Sequence, residues 1–91
     1  MLKISRVRNG KTPTTLRLEG RITGQWVTEL RDECGRQSLQ NGLRLRLDAV
    51  EYLDTEGLKL LLDLMKKGVL LQATPPFVQE QLRTFGETVG D

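Results

Sequence analysis

Apolar and polar positions alternate in short runs along this chain, and the period of alternation changes between two and three to four. Leu2 to Arg8 alternates imperfectly and predicts a first strand at a sheet edge. Asn9-Gly10-Lys11-Thr12-Pro13 follows, and Asn-Gly is a turn signal because both residues tolerate positive φ. Thr14 to Gly20 alternates cleanly, with Leu16 and Leu18 on one face and Arg17 and Glu19 on the other. The chain therefore opens with a hairpin. Gly20 to Gly24 predicts a loop, and Gln25 to Gln40 a helix. Val27, Leu30 and Cys34 form its apolar stripe at i, i+3 and i+7, with Trp26 beside it. Asn41-Gly42 suits a left-handed helix end.

Leu43 to Asp48 has period two again. Three leucines face one way, and Arg44 and Arg46 the other, so one sheet face is not fully covered by helices. After a loop, a helix is predicted from Thr55 to Lys67. Leu58, Leu61, Leu62 and Met65 form its main stripe, widened by Leu60 and Leu64. Lys66 and Lys67 sit where the helix dipole favours cations, and Gly68 caps the end. Val69 to Ala73 predicts a short strand. Thr74-Pro75-Pro76 opens a last helix, with Thr74 as cap, Pro75 first in the helix and Val78, Leu82 and Phe85 as stripe. Gly86 to Asp91 is expected to fray. The order β-β-α-β-α-β-α predicts an α/β fold with a mixed four-stranded sheet and helices mainly on one face. Residues 1–91 are expected to form one domain.

Composition narrows the function. Aromatics make up 4% of the 91 residues, too few for a stacking platform on single-stranded nucleic acid. Net charge is +2, and Lys and Arg are interspersed with acids rather than concentrated in a stripe. Nucleic acid is not an expected partner. One cysteine and no histidine leave no internal disulfide, no zinc site of the usual kind and no Ser-His-Asp or Cys-His catalytic set. No apolar run approaches the length of a membrane span, so a cytoplasmic protein without an integral membrane segment is expected.

Four stretches then carry a resemblance, in order, over nearly the whole chain. Leu16-Arg17-Leu18-Glu19-Gly20-Arg21-Ile22 resembles the second strand of the STAS domain, the fold of bacterial anti-sigma factor antagonists. Leu45-Arg46-Leu47-Asp48-Ala49-Val50 resembles its third strand. Tyr52-Leu53-Asp54-Thr55-Glu56-Gly57-Leu58 resembles its signature, an aromatic, a hydrophobic residue, Asp, Ser or Thr, any residue, Gly and Leu. Thr74-Pro75-Pro76-Phe77-Val78 sits where the family opens a helix with Ser-Pro-x-Val. The resemblance implies a non-catalytic protein-interaction domain. In antagonists of this kind, the residue after the Asp is phosphorylated by a serine/threonine kinase that is itself the anti-sigma factor. That residue here is Thr55. Asp54, Thr55, Glu56, Gly57 and Lys59, with Arg21 and Thr23 from the loop after the second strand, are the expected partner surface. No cofactor is implied.

Two features depart from the longer antagonists. The position after Thr55 is usually small, and here it is Glu56. The sequence also ends after the third predicted helix, where longer antagonists add a strand and a helix. In this it is similar to the small STAS subunit of a bacterial lipid-transport ABC transporter, in which the matching threonine supports docking on the ATPase. That subunit is the alternative reading. A nucleotide- or lipid-sensing module is a third. The oligomeric state, monomer or homodimer, is left open.

The first turn of a helix has N–H groups without intrahelical acceptors, and its dipole favours negative charge. A phosphate on Thr55 would be accommodated there without refolding. Glu56 would repel it, so either the site stays in one state or the kinase tolerates the acid. Other residues have plain structural readings. Asp54 or Thr55 serves equally well as a helix cap. Gly57 suits close packing of helix on strand, and Cys34 suits a buried apolar position. Trp26 suits either an interface anchor or a half-buried wedge. Arg17, Arg44 and Arg46 form either a basic patch or a solvated face, partly neutralised by Glu19. Asp48, Asp54 and Glu56 have no pocket or tuned partner that would make them an acid pair for hydrolysis.

Overall fold

The computed structural model describes residues 1–7, 14–36 and 42–89, with side chains described as far as Phe85. The elements are β1 (Leu2–Val7), β2 (Thr14–Ile22), α1 (Gln25–Arg36), β3 (Leu43–Leu53), α2 (Thr55–Lys66), β4 (Leu70–Gln72) and α3 (Pro76–Val89). The strands form one sheet in the order β1-β2-β3-β4. β1 and β2 run antiparallel, whereas β3 lies parallel to both β2 and β4. Parallel neighbours need a crossover, and α1 and α2 supply the two required. α3 follows β4 and packs against α2. This is the α/β, mixed four-stranded arrangement that the sequence pattern predicts.

One face of the sheet carries the core. Leu16 and Leu18 of β2 and Leu43, Leu45 and Leu47 of β3 are at most 2% exposed. They join Val27, Leu30 and Cys34 of α1, Leu58, Leu61 and Leu64 of α2, and Val78 of α3 in one cluster. Leu82, Phe85 and Trp26 pack against its margin, so Trp26 is a half-buried wedge. The opposite face is polar, with Arg17 and Glu19 on β2 beside Arg44 and Arg46 on β3, none of them buried.

Several element boundaries differ from the sequence expectation. β2 continues through Gly20 to Ile22, as the resemblance implies, and β3 runs through Leu53, so the loop expected over Gly20 to Gly24 shrinks to Thr23-Gly24 and the one before α2 to Asp54. The cause is a pair of bulges. From Arg17 to Glu19, β2 advances two residues while β3 advances three, Arg46 to Ala49. From Gly20 to Arg21, β2 advances one while β3 advances two, Val50 to Tyr52. Each bulge adds a residue to β3 and breaks its period of two.

On α2, Gly57, Leu58, Leu60, Leu61 and Leu64 are buried, while Leu62 is half-buried and Met65 is 45% exposed. The buried stripe is therefore rotated away from the expected Leu62 and Met65. Lys67 is the C-cap residue of α2, and Gly68 follows with φ +97°. β4 is only three residues long. α3 starts one residue later than expected. The Pro75 carbonyl accepts from Val78 and Gln79, which leaves Pro76 in the first helical position, where a missing N–H costs nothing. α3 also continues through Gly86 to Val89 instead of fraying there. Arg8, the turn at 9–13, the stretch 37–41 and residues 90–91 lie outside the described residues.

Candidate functional site

Both bulges lie in the half of β3 that leads to α2. Because of them, Leu47, Val50 and Leu53 all point inward, although they are spaced three apart. Leu53 pairs with Ile22, and the chain then turns into α2 across a single residue, Asp54. The Asp54 N–H donates to the Ile22 carbonyl at 3.2 Å, which extends the sheet contact to the rim.

Asp54 is the N-cap of α2, with extended backbone at φ −90° and ψ −179°. Its Oδ1 accepts from the Gly57 N–H at 2.8 Å, the usual bond from a cap side chain into the first turn. Its Oδ2 accepts from the Gly24 N–H at 3.1 Å. Both carboxylate oxygens thus hold backbone, one at the start of α2 and one in the turn between β2 and α1. That turn is itself closed by bonds from Trp26 N–H to the Thr23 carbonyl at 2.9 Å and from Val27 N–H to the Gly24 carbonyl at 3.1 Å. Gly24 has φ +51°, in the left-handed region where a side chain is disfavoured.

Gly57 is the third residue of α2, in its first turn, and is buried. A Cβ there would lie 2.6 Å from the Ile22 carbonyl oxygen and 2.9 Å from Leu53 Cδ1. The missing side chain lets α2 approach the ends of β2 and β3 closely. Gly57 faces the fold, not solvent.

Thr55, Glu56 and Lys59 are exposed on the same helix start. Thr55 and Glu56 are its first two residues, so no carbonyl one turn upstream accepts their N–H groups. Lys59 Nζ lies 3.6 Å from Glu56 Oε2, with both side chains more than half exposed. A pair this open to solvent contributes little to stability, but it places a cation next to the acid beside Thr55. Arg21 and Tyr52 are register partners at the strand ends, and the Arg21 guanidinium lies 5.9 Å from the Tyr52 ring centroid. Tyr52 is 51% exposed. Thr23 is half-buried in the adjoining turn.

The structure thus brings Asp54, Thr55, Glu56, Lys59, Thr23 and Arg21 to one rim, with Gly57 beneath it. The expected partner surface did not include Gly24, or Tyr52, which the sequence marked only as the aromatic of the signature. Gly24 enters only through a contact thirty residues away in sequence, which no local pattern signals. Tyr52 enters through its pairing with Arg21. Among the described residues, no group of three or more Cys, Asp or Glu is placed to hold a metal ion, and no helix is long and apolar enough to cross a membrane.

No family model matches this sequence, and no curated protein does. A structural match is clear. The anti-sigma factor antagonist SpoIIAA, solved in its unphosphorylated form, superposes with a TM-score of 0.70 over 92% of this chain and 81% of that one, at 15% identity. The chain has a STAS-type fold. At this identity the likeness is one of architecture, and within that architecture the stretch Tyr52 to Leu58, which resembles the STAS signature, supplies the strand end, the Asp54 cap and the first turn of α2.

Proposed function

We propose that this STAS-type chain is a non-catalytic interaction module. Its partner docks on the start of α2, contacting Thr55, Glu56 and Lys59, with Arg21 and Thr23 at the margin. Asp54 and Gly57 shape that surface from behind. In this reading the partner is a serine/threonine kinase acting as an anti-sigma factor, and Thr55 is the residue it modifies. The observation that carries the proposal is the division of labour between neighbours. Asp54 has both oxygens engaged with backbone, while the Thr55 hydroxyl stands exposed on the first helical position. The similar structure is named as an anti-sigma factor antagonist and described in an unphosphorylated form, which supports the same role here.

The electrostatics suit a switch acting at the surface. A phosphate of about −1.5 to −2 charge at the helix start is favoured by the dipole and by the free N–H groups of the first turn. Glu56 opposes it, and Lys59, one turn along from Thr55, offsets Glu56. The added charge and bulk would block or create a contact while the helix stays in place.

The test uses the purified chain with ATP and an anti-sigma-factor kinase encoded near it. Intact-mass analysis is expected to show one added phosphate on the wild type and none on Thr55→Ala. Thr55→Arg is expected to lose capture of the kinase. Capture that survives both Thr55→Arg and Lys59→Glu, or a phosphate on another residue, would overturn the proposal. Capture of a transporter ATPase through the same residues, without phosphate, would assign the transporter-subunit role instead.

A further inference from the structure

The polar face of the sheet has its own charge arrangement, at the end away from Asp54. Register partners share a face, so the strands lay out rows across it. One row reads Val7, Thr15, Arg44, Leu70, and the next reads Ser5, Arg17, Arg46, Gln72. Lys3 and Glu19 begin a third. Arg17 and Arg46 are direct neighbours, an arrangement that is unfavourable unless a counter-charge intervenes. Asp48 is that counter-charge, with its carboxylate 3.7 Å from Arg17 and 3.3 Å from Arg46. Glu19 adds a second contact to Arg17 at 3.4 Å.

Among the described residues, no carboxylate pairs with Arg44. Its Nε is buried and meets no acceptor among the described residues. Its register neighbours are Thr15, which is buried, and Leu70, which is 58% exposed. That Nε lies out of reach of a partner, but Arg44 as a whole is only half-buried, and its guanidinium carries further donors that suit a carboxylate. Four cations (Lys3, Arg17, Arg44, Arg46) face two carboxylates (Glu19, Asp48) here, so the face keeps a positive excess to which Arg44 and Lys3 contribute.

We propose that this sheet face is a second docking surface, binding an acidic segment of a protein partner through a carboxylate on Arg44 and an apolar side chain on Leu70. The carboxylate answers the uncompensated positive charge of Arg44, for which no ion pair is seen among the described residues, and the exposed leucine beside it calls for apolar contact. Glu19 and Asp48 interrupt the face with negative charge and hold Arg17 and Arg46, which disfavours a continuous run of phosphates from nucleic acid or lipid. The surface is distinct from the α2 rim. Arg44 pairs with Thr15 and Leu53 with Ile22, seven residues further along β2, so the two places are roughly 23 Å apart at the usual strand rise. It therefore does not depend on the role proposed for Thr55.

The probe is a blocked peptide alternating leucine and glutamate, titrated into isotope-labelled chain while the arginine Nε–H signals are followed by NMR. The Arg44 signal is expected to shift and saturate. Arg44→Gln is expected to weaken binding about tenfold or more, and Leu70→Ser severalfold. Arg17→Gln, Arg46→Gln and Thr55→Arg should change it by less than about threefold. The same peptide with glutamine for glutamate should not bind. Thermal melts of Arg44→Gln should match the wild type, since the variant removes an unsatisfied donor. Parallel shifts of all the arginines, or equal losses for Arg44→Gln and Arg17→Gln, would reduce the effect to diffuse charge attraction and overturn the proposal. So would stronger displacement of the peptide by phosphatidylserine vesicles or by oligothymidylate, either of which would assign a different occupant.

Discussion

Replacing Gly57 by alanine tests whether the close approach of α2 to the strand ends holds the rim in place. In a helix interior this change ordinarily stabilises, because alanine is favoured over glycine by up to about 1 kcal/mol. Here the new methyl would lie 2.6 Å from the Ile22 carbonyl oxygen, 2.9 Å from Leu53 Cδ1 and 3.0 Å from Ile22 Cγ2. The nearest of these atoms is backbone in a paired strand, and it also accepts the Asp54 N–H, so it cannot rotate aside as a side-chain tip would. Overpacking of this kind typically costs about 1–3 kcal/mol. Set against the propensity gain, the expected net loss is about 1–2 kcal/mol, or about 5–15 °C in Tm for a domain of this size. Gly35→Ala is the internal control. It lies within α1, and no atom outside its own helix stands within 4 Å of the added Cβ, so it should raise stability by up to about 0.5 kcal/mol near the helix end. Urea denaturation followed by circular dichroism measures both. A Gly57→Ala chain as stable as the wild type, or a change equal to that of Gly35→Ala, would refute the packing argument.

Three further outcomes follow from the same geometry. Asp54→Ala removes the cap of α2 and the anchor of the Gly24 turn, and should lower unfolding free energy by about 1–2 kcal/mol; a change below a few tenths in urea melts would show that neither bond matters. Glu56→Ala and Lys59→Ala should each stay within about 0.5 kcal/mol of the wild type, because their ion pair is solvent-exposed, and a larger loss by the same assay would count against that reading. Cys34 is buried, and desolvation, reinforced by nearby Glu33, raises its pKa from 9.0 to about 11. The folded chain thus holds the thiol proton at pH values where the unfolded chain releases it. The associated stability is intact below pH 9.0 and declines as pH rises toward 11, with a slope of at most about 1.4 kcal/mol per pH unit. Cys34→Ala should flatten that decline, and an unchanged pH profile would rule the thiol out as its source.

Most of the architecture was legible because the leucines keep simple periods. Leu16 and Leu18, Leu43 to Leu47, and Val27, Leu30 and Cys34 each mark one face without ambiguity, and each is buried as the pattern requires. The pattern failed where bulges intervene. Leu47, Val50 and Leu53 are spaced by three, which fits neither a strand nor a short turn, and the stretch read as a loop. The structure keeps all three inward by leaving pairs of consecutive residues, Asp48 with Ala49 and Glu51 with Tyr52, off the inner face. Helix α2 was ambiguous for the opposite reason. With leucine or methionine at six positions, several stripes fit equally well, and the true one is fixed by Gly57, whose missing side chain decides which side meets the sheet.

The site shows the same limit. Local chemistry allowed either Asp54 or Thr55 to cap α2, and only the fold distinguishes them, because the second oxygen of Asp54 reaches Gly24 in a turn remote in sequence. That long-range bond gives the Asp-Thr pair its asymmetry. Asp54 is committed twice, to the helix start and to the neighbouring turn, so its carboxylate cannot follow a passing partner without releasing backbone at both ends. Thr55 carries no such duty as cap, so under the proposed role a change of charge there would leave the bonds that shape the rim in place. The sheet face shows a similar asymmetry, since Arg17 and Arg46 are tied down by Asp48, whereas Arg44 Nε meets no acceptor among the described residues.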